Sequence, residues 1–230
     1  MEWLDKIIHL DKALFLFLNG FHNDVFDMVM FFITRKETWI PFYAILLFYI
    51  IKAFRNKSII ILVFLILTLV ASDQLSLFIK ETVQRLRPLF DPEIMDLVHS
   101  YGKKSGQFGF LSGHAANSFG ILTFTAYIFK NKLYTRSALL WAIAVSYSRI
   151  YLGVHFPLDI AGGIIFGYFL GFLFFKLLMF VENHFFVARP PNIRKSVLYL
   201  KDALVISLVL AVTFILLIIV ARNIHYFQLV

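Results

Sequence analysis

A chain of 230 residues that is 60% hydrophobic and 16% charged, with a mean hydropathy of +0.79, lies far from the roughly half-apolar, quarter-charged composition of a soluble domain. It belongs in a bilayer, with room for about six membrane spans and little else. The absence of cysteine excludes disulfides, thiolate nucleophiles and cysteine-ligated metals, and in so apolar a chain the net charge of +8 points to inner-loop charge, anionic lipid and an anionic substrate rather than to nucleic acid.

The start, MEWLDKIIHLDKALFLFLNG, mixes charge into its apolar run and has no small-residue cleavage site, so it does not read as a removed signal peptide and is expected to stay on the protein. Residues 2–18 carry Trp3, Leu4, Ile7, Ile8 and a Leu/Phe run interrupted by Lys6, His9, Asp11 and Lys12, the pattern of an amphipathic helix lying at an interface. Residues 24–34 (DVFDMVMFFIT) are too short to span alone and predict a re-entrant or tilted helix. Clearer spans follow at 38–54, 58–79, 115–129, 137–152, 158–181 and 202–221, each bounded by charge, Pro or Gly. The fold class is therefore all-α, a polytopic bundle of about six transmembrane helices with an N-terminal interfacial helix. Its parts are interfacial and re-entrant helices over 1–37, a membrane core over 38–181, and a cytoplasmic loop with an appended helix over 182–230.

If the spans alternate, the basic connections KAFRNK (52–57), KNKLYTR (130–136) and 182–201, which includes Arg189, Arg194, Lys195 and Lys201, share one side. Their charge density makes that side cytoplasmic. The long loop 80–113 and the turn 148–158 then face outward together. In the fifth span Gly163, Gly167 and Gly171 recur four apart, a smooth ridge for close helix packing. Asp73 and Gln74 interrupt the second span, Asp73 on the helix face of Lys80. An acid so placed either hydrogen-bonds a neighbouring helix or lines a substrate path.

Three polar clusters stand at the outward ends of the spans. KETVQRLRP sets Lys80 seven residues before Arg87, with Pro88 next. On a helix both cations would share a face and Pro88 would stop it; they could clamp a phosphate or snorkel to the headgroups. FLSGHAANS (110–118) offers Ser112 as an N-cap, with the amides of Gly113 and His114 forming a positive helix end. His114 could act there as a general acid, or be an ordinary interfacial histidine. SRIYLGVHFPLD (148–159) puts Pro157 in a first helical turn, His155 just outside it and Asp159 within it. A carboxylate four residues on can fix the imidazole tautomer and leave the other nitrogen free to attack, with Arg149 as a third cation. A turn with a capping acid would have the same sequence.

Taken in order, K-x6-RP, SGH and SR-x5-H-x3-D resemble the three-part signature of the type-2 phosphatidic acid phosphatase (PAP2) superfamily, membrane branch. The match runs from Lys80 to Asp159, and Leu111 stands where that family usually has Pro. The resemblance implies a phosphatase in which His155 attacks phosphorus, Asp159 orients it and His114 protonates the leaving group. It implies further that Lys80, Arg87 and Arg149 hold the phosphate, with Ser112 and Gly113 donating hydrogen bonds to it, and that neither metal nor cofactor takes part.

The implied partner is a phosphorylated lipid of a bacterial inner membrane, met on its outer face. Undecaprenyl pyrophosphate ranks first, beside phosphatidylglycerol phosphate, phosphatidate and the phosphates of lipid A. Phosphate transfer to another lipid on the same site, and non-catalytic lipid binding or transport, are the alternatives.

Overall fold

A computed structural model describes residues 2–102, 106–186, 192–193 and 197–229. Among the described residues there are eight α-helices: α1 (Glu2–Asn19), α2 (Asp24–Ile33), α3 (Ile40–Phe54), α4 (Ser58–Val83), α5 (Gly113–Phe129), α6 (Lys132–Tyr151), α7 (Pro157–Val181) and α8 (Leu200–Leu229). No strand occurs among the described residues. Helix starts follow capping chemistry. Asn23 accepts from Phe26 N at 3.0 Å, Asn131 from Leu133 N at 2.9 Å and Tyr134 N at 3.1 Å, while Pro157 opens α7.

The six longest apolar segments of the sequence are thus six helices, α3 to α8, at the expected places. By length and hydropathy, three stretches are apolar enough to cross a membrane: Lys36–Val83, which holds both α3 and α4, then Pro157–Phe185 and Leu200–Ile224. The exposed surfaces of these stretches are large hydrophobics such as Val63, Ile66, Phe78, Ile165, Phe169, Ile215 and Ile218, as lipid-facing helices require. α5 carries His114, Asn117, Ser118, Thr123 and Thr125 and faces protein, whereas α6 exposes Leu139, Leu140 and Ile143. α5 is the central helix, buried along nearly its whole length and packed against α4, α6 and α7.

The glycine ridge of α7 lies against α5. A Cβ on Gly163 would sit 2.5 Å from Ser112 O, one on Gly171 2.7 Å from Gly120 O, and one on Gly167 would collide with Ala116 O. The two backbones touch, as small-residue stripes in membranes permit. α8 closes the bundle over α2, α3 and α6, where Trp39 packs edge-on against Trp141 at 6.0 Å and Phe214 at 5.0 Å.

The two ends of the bundle differ in kind. At one end the three basic connections meet. Lys57 pairs with the buried Glu182 at 2.8 Å, Lys52 pairs with Asp202 at 2.9 Å, and Leu198 N donates to Phe129 O at 2.8 Å. The loop expected over 182–201 begins as a π-helical turn, Glu182–Phe186; Arg189, Arg194 and Lys195 lie outside the described residues.

At the other end α1, α2, the loop 84–112 and the α6–α7 turn converge. Asn19 ties them, its amide donating to His99 O, Ile150 O and Tyr151 O at 2.8–3.1 Å while its carbonyl accepts from His99 N at 2.9 Å. The inward stripe of α1 is Asp11, Phe15 and Asn19. Asp11 therefore turns toward the protein, whereas the amphipathic reading places it among the charges that interrupt an interface-bound run.

Candidate active site

α4 runs past the expected span end at 79 but stops at Val83, short of the Pro88 at which a helix carrying both Lys80 and Arg87 would end. Gln84 enters the left-handed region at φ 51° and its amide caps Lys80 O at 2.9 Å. Lys80 and Arg87 consequently do not share a helix face, as their seven-residue spacing suggests. Arg87 reaches the site from an extended stretch that pairs with the loop returning toward α5. Leu86 bridges Phe108, Arg87 N donates to Gln107 O at 3.0 Å, and Gly109 N donates to Arg85 O at 2.8 Å. Pro88 follows, and the residue before a proline favours this extended backbone.

That path carries the Arg87 guanidinium to the turn between α6 and α7. Nε donates to Phe108 O and Nη1 to Val154 O, both at 2.9 Å, and Nη1 lies 3.0 Å from His155 Nε2. A guanidinium can only donate, so Nε2 is the unprotonated nitrogen of the ring. The proton sits on Nδ1, which is 3.3 Å from Asp159 Oδ2. Asp159 is held in turn by Phe156 N at 3.0 Å on Oδ2 and Arg85 Nη1 at 2.9 Å on Oδ1. The imidazole tautomer is fixed from both sides, with the lone pair directed away from the carboxylate. Burial, followed by the charges of Arg87, Arg149 and Lys80, pushes the His155 pKa well below its ordinary value, so the ring is neutral.

Arg149 sits on the last turn of α6, and its carbonyl accepts from Val154 N and His155 N at 3.1 and 3.2 Å. Its side chain bonds Thr34 Oγ1, and its buried Nε–H has no partner among the described residues. Lys80 is half-buried at the mouth of a cavity beside Gly113 and His114. A Cβ on Gly113 would lie 3.6 Å from Lys80 Nζ. Ser112 caps α5, its fully buried hydroxyl accepting from Ala115 N at 3.5 Å, and its own amide donates to Asp159 O at 3.0 Å. All eight residues singled out in the sequence therefore gather at one end of the bundle.

Electrostatically the site is unbalanced. Lys80, Arg87 and Arg149 have no carboxylate partner among the described residues, and the nearby Asp159 is already paired with Arg85. Three desolvated cations with nothing of their own to neutralise them suit an oxyanion of high charge. No group of three His, Asp or Glu side chains placed to hold a metal ion occurs among the described residues.

Three further residues escape the sequence reading. Arg85 joins Asp159 to Asp11, with Nη2 at 2.5 Å from Asp11 Oδ2 and its guanidinium 4.5 Å above the Phe156 ring. Asp11 also accepts from Leu158 N at 2.9 Å, so α1 braces the turn that carries the histidine. Gly109 is the third. A Cβ there would stand 2.8 Å from Asp159 Oδ2 and 3.2 Å from Arg87 Cγ. Arg85 and Arg87 are two apart before a proline, which in an extended segment directs both to one face; reading that segment as helix conceals the signal.

A profile of the PAP2 superfamily matches residues 59–183, a range that contains the whole cluster apart from Asp11. The chain belongs to the PAP2 superfamily. Among curated relatives, "Lipid A 4'-phosphatase" of Bacteroides thetaiotaomicron is 41% identical over 75% of this chain and 78% of its own. A protein of the same name from Porphyromonas gingivalis is 34% identical over 87% of this chain and 86% of its own. Among solved structures, the transmembrane PAP2-type phosphatidylglycerolphosphate phosphatase of Bacillus subtilis superposes with a TM-score of 0.59 at 25% identity, covering 78% of this chain and 89% of that one. This is a membrane PAP2 protein whose relatives are phosphatases of lipid phosphates.

Proposed function

We propose that this protein hydrolyses a phosphate monoester of a lipid A-type glucosamine lipid, through a phosphohistidine on His155, with α3 to α8 spanning a bacterial inner membrane and the site at its outer face. The observation that carries the chemistry is a neutral imidazole, its tautomer set by Asp159 and Arg87, among three cations without carboxylate partners. The two relatives named for lipid A 4'-phosphate carry the choice of lipid; they move it ahead of undecaprenyl pyrophosphate, which the sequence alone ranks first.

In the first step Arg87 exchanges its contact with His155 Nε2 for a phosphate oxygen, and the freed lone pair attacks phosphorus. The P–O bond to the sugar breaks as the P–N bond forms, and the departing oxygen takes a proton from His114, which becomes imidazolium once the bound phosphate dianion offsets the cations around it. Lys80, Arg87, Arg149 and the amides at the start of α5 bear the equatorial charge. In the second step water gives a proton to His114 and attacks phosphorus, the P–N bond breaks, and inorganic phosphate leaves with His155 restored. No step calls on a metal. The basic connections at the opposite end of the bundle support an inward orientation for that end.

The test is phosphate release by purified protein in chelator, from a panel of lipid A, undecaprenyl pyrophosphate, phosphatidylglycerol phosphate and phosphatidate. The expected result is vanadate-sensitive release fastest from lipid A, an acid-labile phosphoryl label on the protein, and loss of both in His155→Ala. Undiminished release from that variant would refute the nucleophile, and lipid binding without any release would leave a transport or binding protein.

A further inference from the structure

The two guanidiniums of the phosphate clamp are held in different ways. Arg87 donates to two backbone carbonyls, Phe108 O and Val154 O at 2.9 Å, and meets His155 Nε2 at 3.0 Å. All of these partners lie within residues 59–183, the stretch that matches the PAP2 profile. The side chain of Arg149 has one hydrogen-bond partner among the described residues, the hydroxyl of Thr34, which accepts from Nη1. Thr34 lies before that stretch, as the C-cap of α2, and none of the three polar clusters of the sequence includes it.

The end of α2 is a fixed platform for this hydroxyl. Thr34 N donates to Met30 O at 3.1 Å, Thr38 Oγ1 to Phe32 O at 2.7 Å, and the indole of Trp39 to Ile33 O at 2.8 Å. Carbonyls that a helix end leaves open are thereby satisfied, and Trp39 packs on Trp141 of α6. Two turns back along α2, Asp27 Oδ1 accepts from Tyr151 Oη at 2.8 Å. Arg149 and Tyr151 share the last turn of α6, so α2 grips that turn through both Thr34 and Asp27. Thr34 is half-buried and lines the cavity at whose mouth Lys80, Gly113 and His114 lie.

A tie between two helices would be served as well by a carboxylate facing the arginine. The acceptor present is neutral. Arg87 and Arg149 repel each other, and an untethered Arg149 would swing away from Arg87 before phosphate arrives. A guanidinium carries its five N–H donors in a rigid planar fork, so holding Nη1 sets the direction of the rest. A hydroxyl does this without cancelling the charge, whereas a carboxylate would compete with phosphate for the same cation.

We infer that Thr34 is a positioning residue for Arg149: its hydroxyl aims the guanidinium at the phosphate and, being neutral, leaves the whole positive charge for the oxyanion. The inference rests on the reading of Arg149 as a phosphate ligand. It makes α2, which precedes the PAP2-matched stretch, a part of the anion site.

The experiment measures orthovanadate binding to the purified full chain in detergent by calorimetry, beside phosphate release from the lipid panel. Thr34→Val keeps the shape and removes the hydroxyl; it should weaken vanadate about tenfold and lower kcat/KM by a similar factor. Thr34→Ser should bring both to within about twofold of wild type. Thr34→Asp should hold α2 to α6 at least as firmly, seen as an undiminished unfolding temperature. It should nevertheless weaken vanadate by more than about tenfold, because the new carboxylate takes the charge of Arg149. In an Arg149→Ala background, adding Thr34→Val should change vanadate binding by less than about twofold. Unchanged vanadate affinity in Thr34→Val, or wild-type affinity in Thr34→Asp, would overturn the inference. So would an undiminished effect of Thr34→Val in the Arg149→Ala background, since Thr34 would then act on the fold and not through Arg149. Vanadate bound without phosphate release from any lipid would remove the phosphatase reading alone, because the binding series still decides on Thr34. A wild-type chain that neither binds vanadate nor releases phosphate would overturn both.

Discussion

Replacing Arg85 by Ala separates bracing the proposed nucleophile from binding the phosphate. Arg85 lies on the far side of Asp159 from His155 and donates one charge-assisted bond to Asp159 Oδ1 at 2.9 Å and another to Asp11 Oδ2 at 2.5 Å. Each such bond contributes about 1.5–3 kcal/mol. Losing the one to Asp159 lets the carboxylate rotate away from His155 Nδ1, and if the transition state bears that loss, turnover falls by roughly 10- to 150-fold. Both carboxylates are almost fully buried, so truncation also leaves two uncompensated acids and lowers stability by about 3 kcal/mol. The assay is steady-state phosphate release alongside thermal unfolding in detergent. The expected pattern is a reduced kcat with KM nearly unchanged, and recovery of stability without recovery of kcat when Asp11→Asn is added to Arg85→Ala. A folded Arg85→Ala protein with kcat within threefold of wild type, or a rise in KM alone, would refute the bracing role.

The acid limb of kcat/KM should lie well below pH 6.5, because the buried, cation-flanked His155 stays neutral there; Arg87→Ala, though slow, should shift that limb upward. By linkage, the stability contributed by neutral His155 is whole above about pH 6.5 and is lost as pH falls through its lower folded pKa, which acid titration of unfolding will read. Gly109→Ala places a methyl group against Asp159 Oδ2 and Arg87 Cγ, and activity should drop at least about tenfold with the fold retained by circular dichroism. Gly167→Val forces α7 from the backbone of α5 at Ala116 and should destabilise by more than about 3 kcal/mol, seen as a lower unfolding temperature.

Helix positions were legible because apolar length is a blunt, one-dimensional signal. The contact of His155 with Asp159 was legible for a similar reason, since a four-residue spacing across a helix start leaves little freedom. Arg87 was harder. Its spacing from Lys80 mimics a helix repeat, and only the left-handed turn at Gln84, which a non-glycine sequence does not advertise, shows that it arrives by another route. Asp11, Arg85 and Asp159 could not be linked from sequence at all, because Arg85 joins the two acids through space and not through any local period. The same holds for Lys57 and Glu182, whose buried pair joins connections that sequence shows only as separate loops.

The brace from α1 also has a consequence for how the protein is made. Asp11 is synthesised well before Leu158, whose amide it accepts, and Asp159, to which Arg85 joins it; both follow only after most of the helices have been made. At ordinary elongation rates that interval is on the order of ten to thirty seconds. During it α1 has no turn to brace, and His155 does not yet exist to be oriented. The proposed catalytic cluster is therefore completed late in biogenesis, by an early segment folding back on a late one, so a nascent chain halted in the middle of insertion does not hold it assembled.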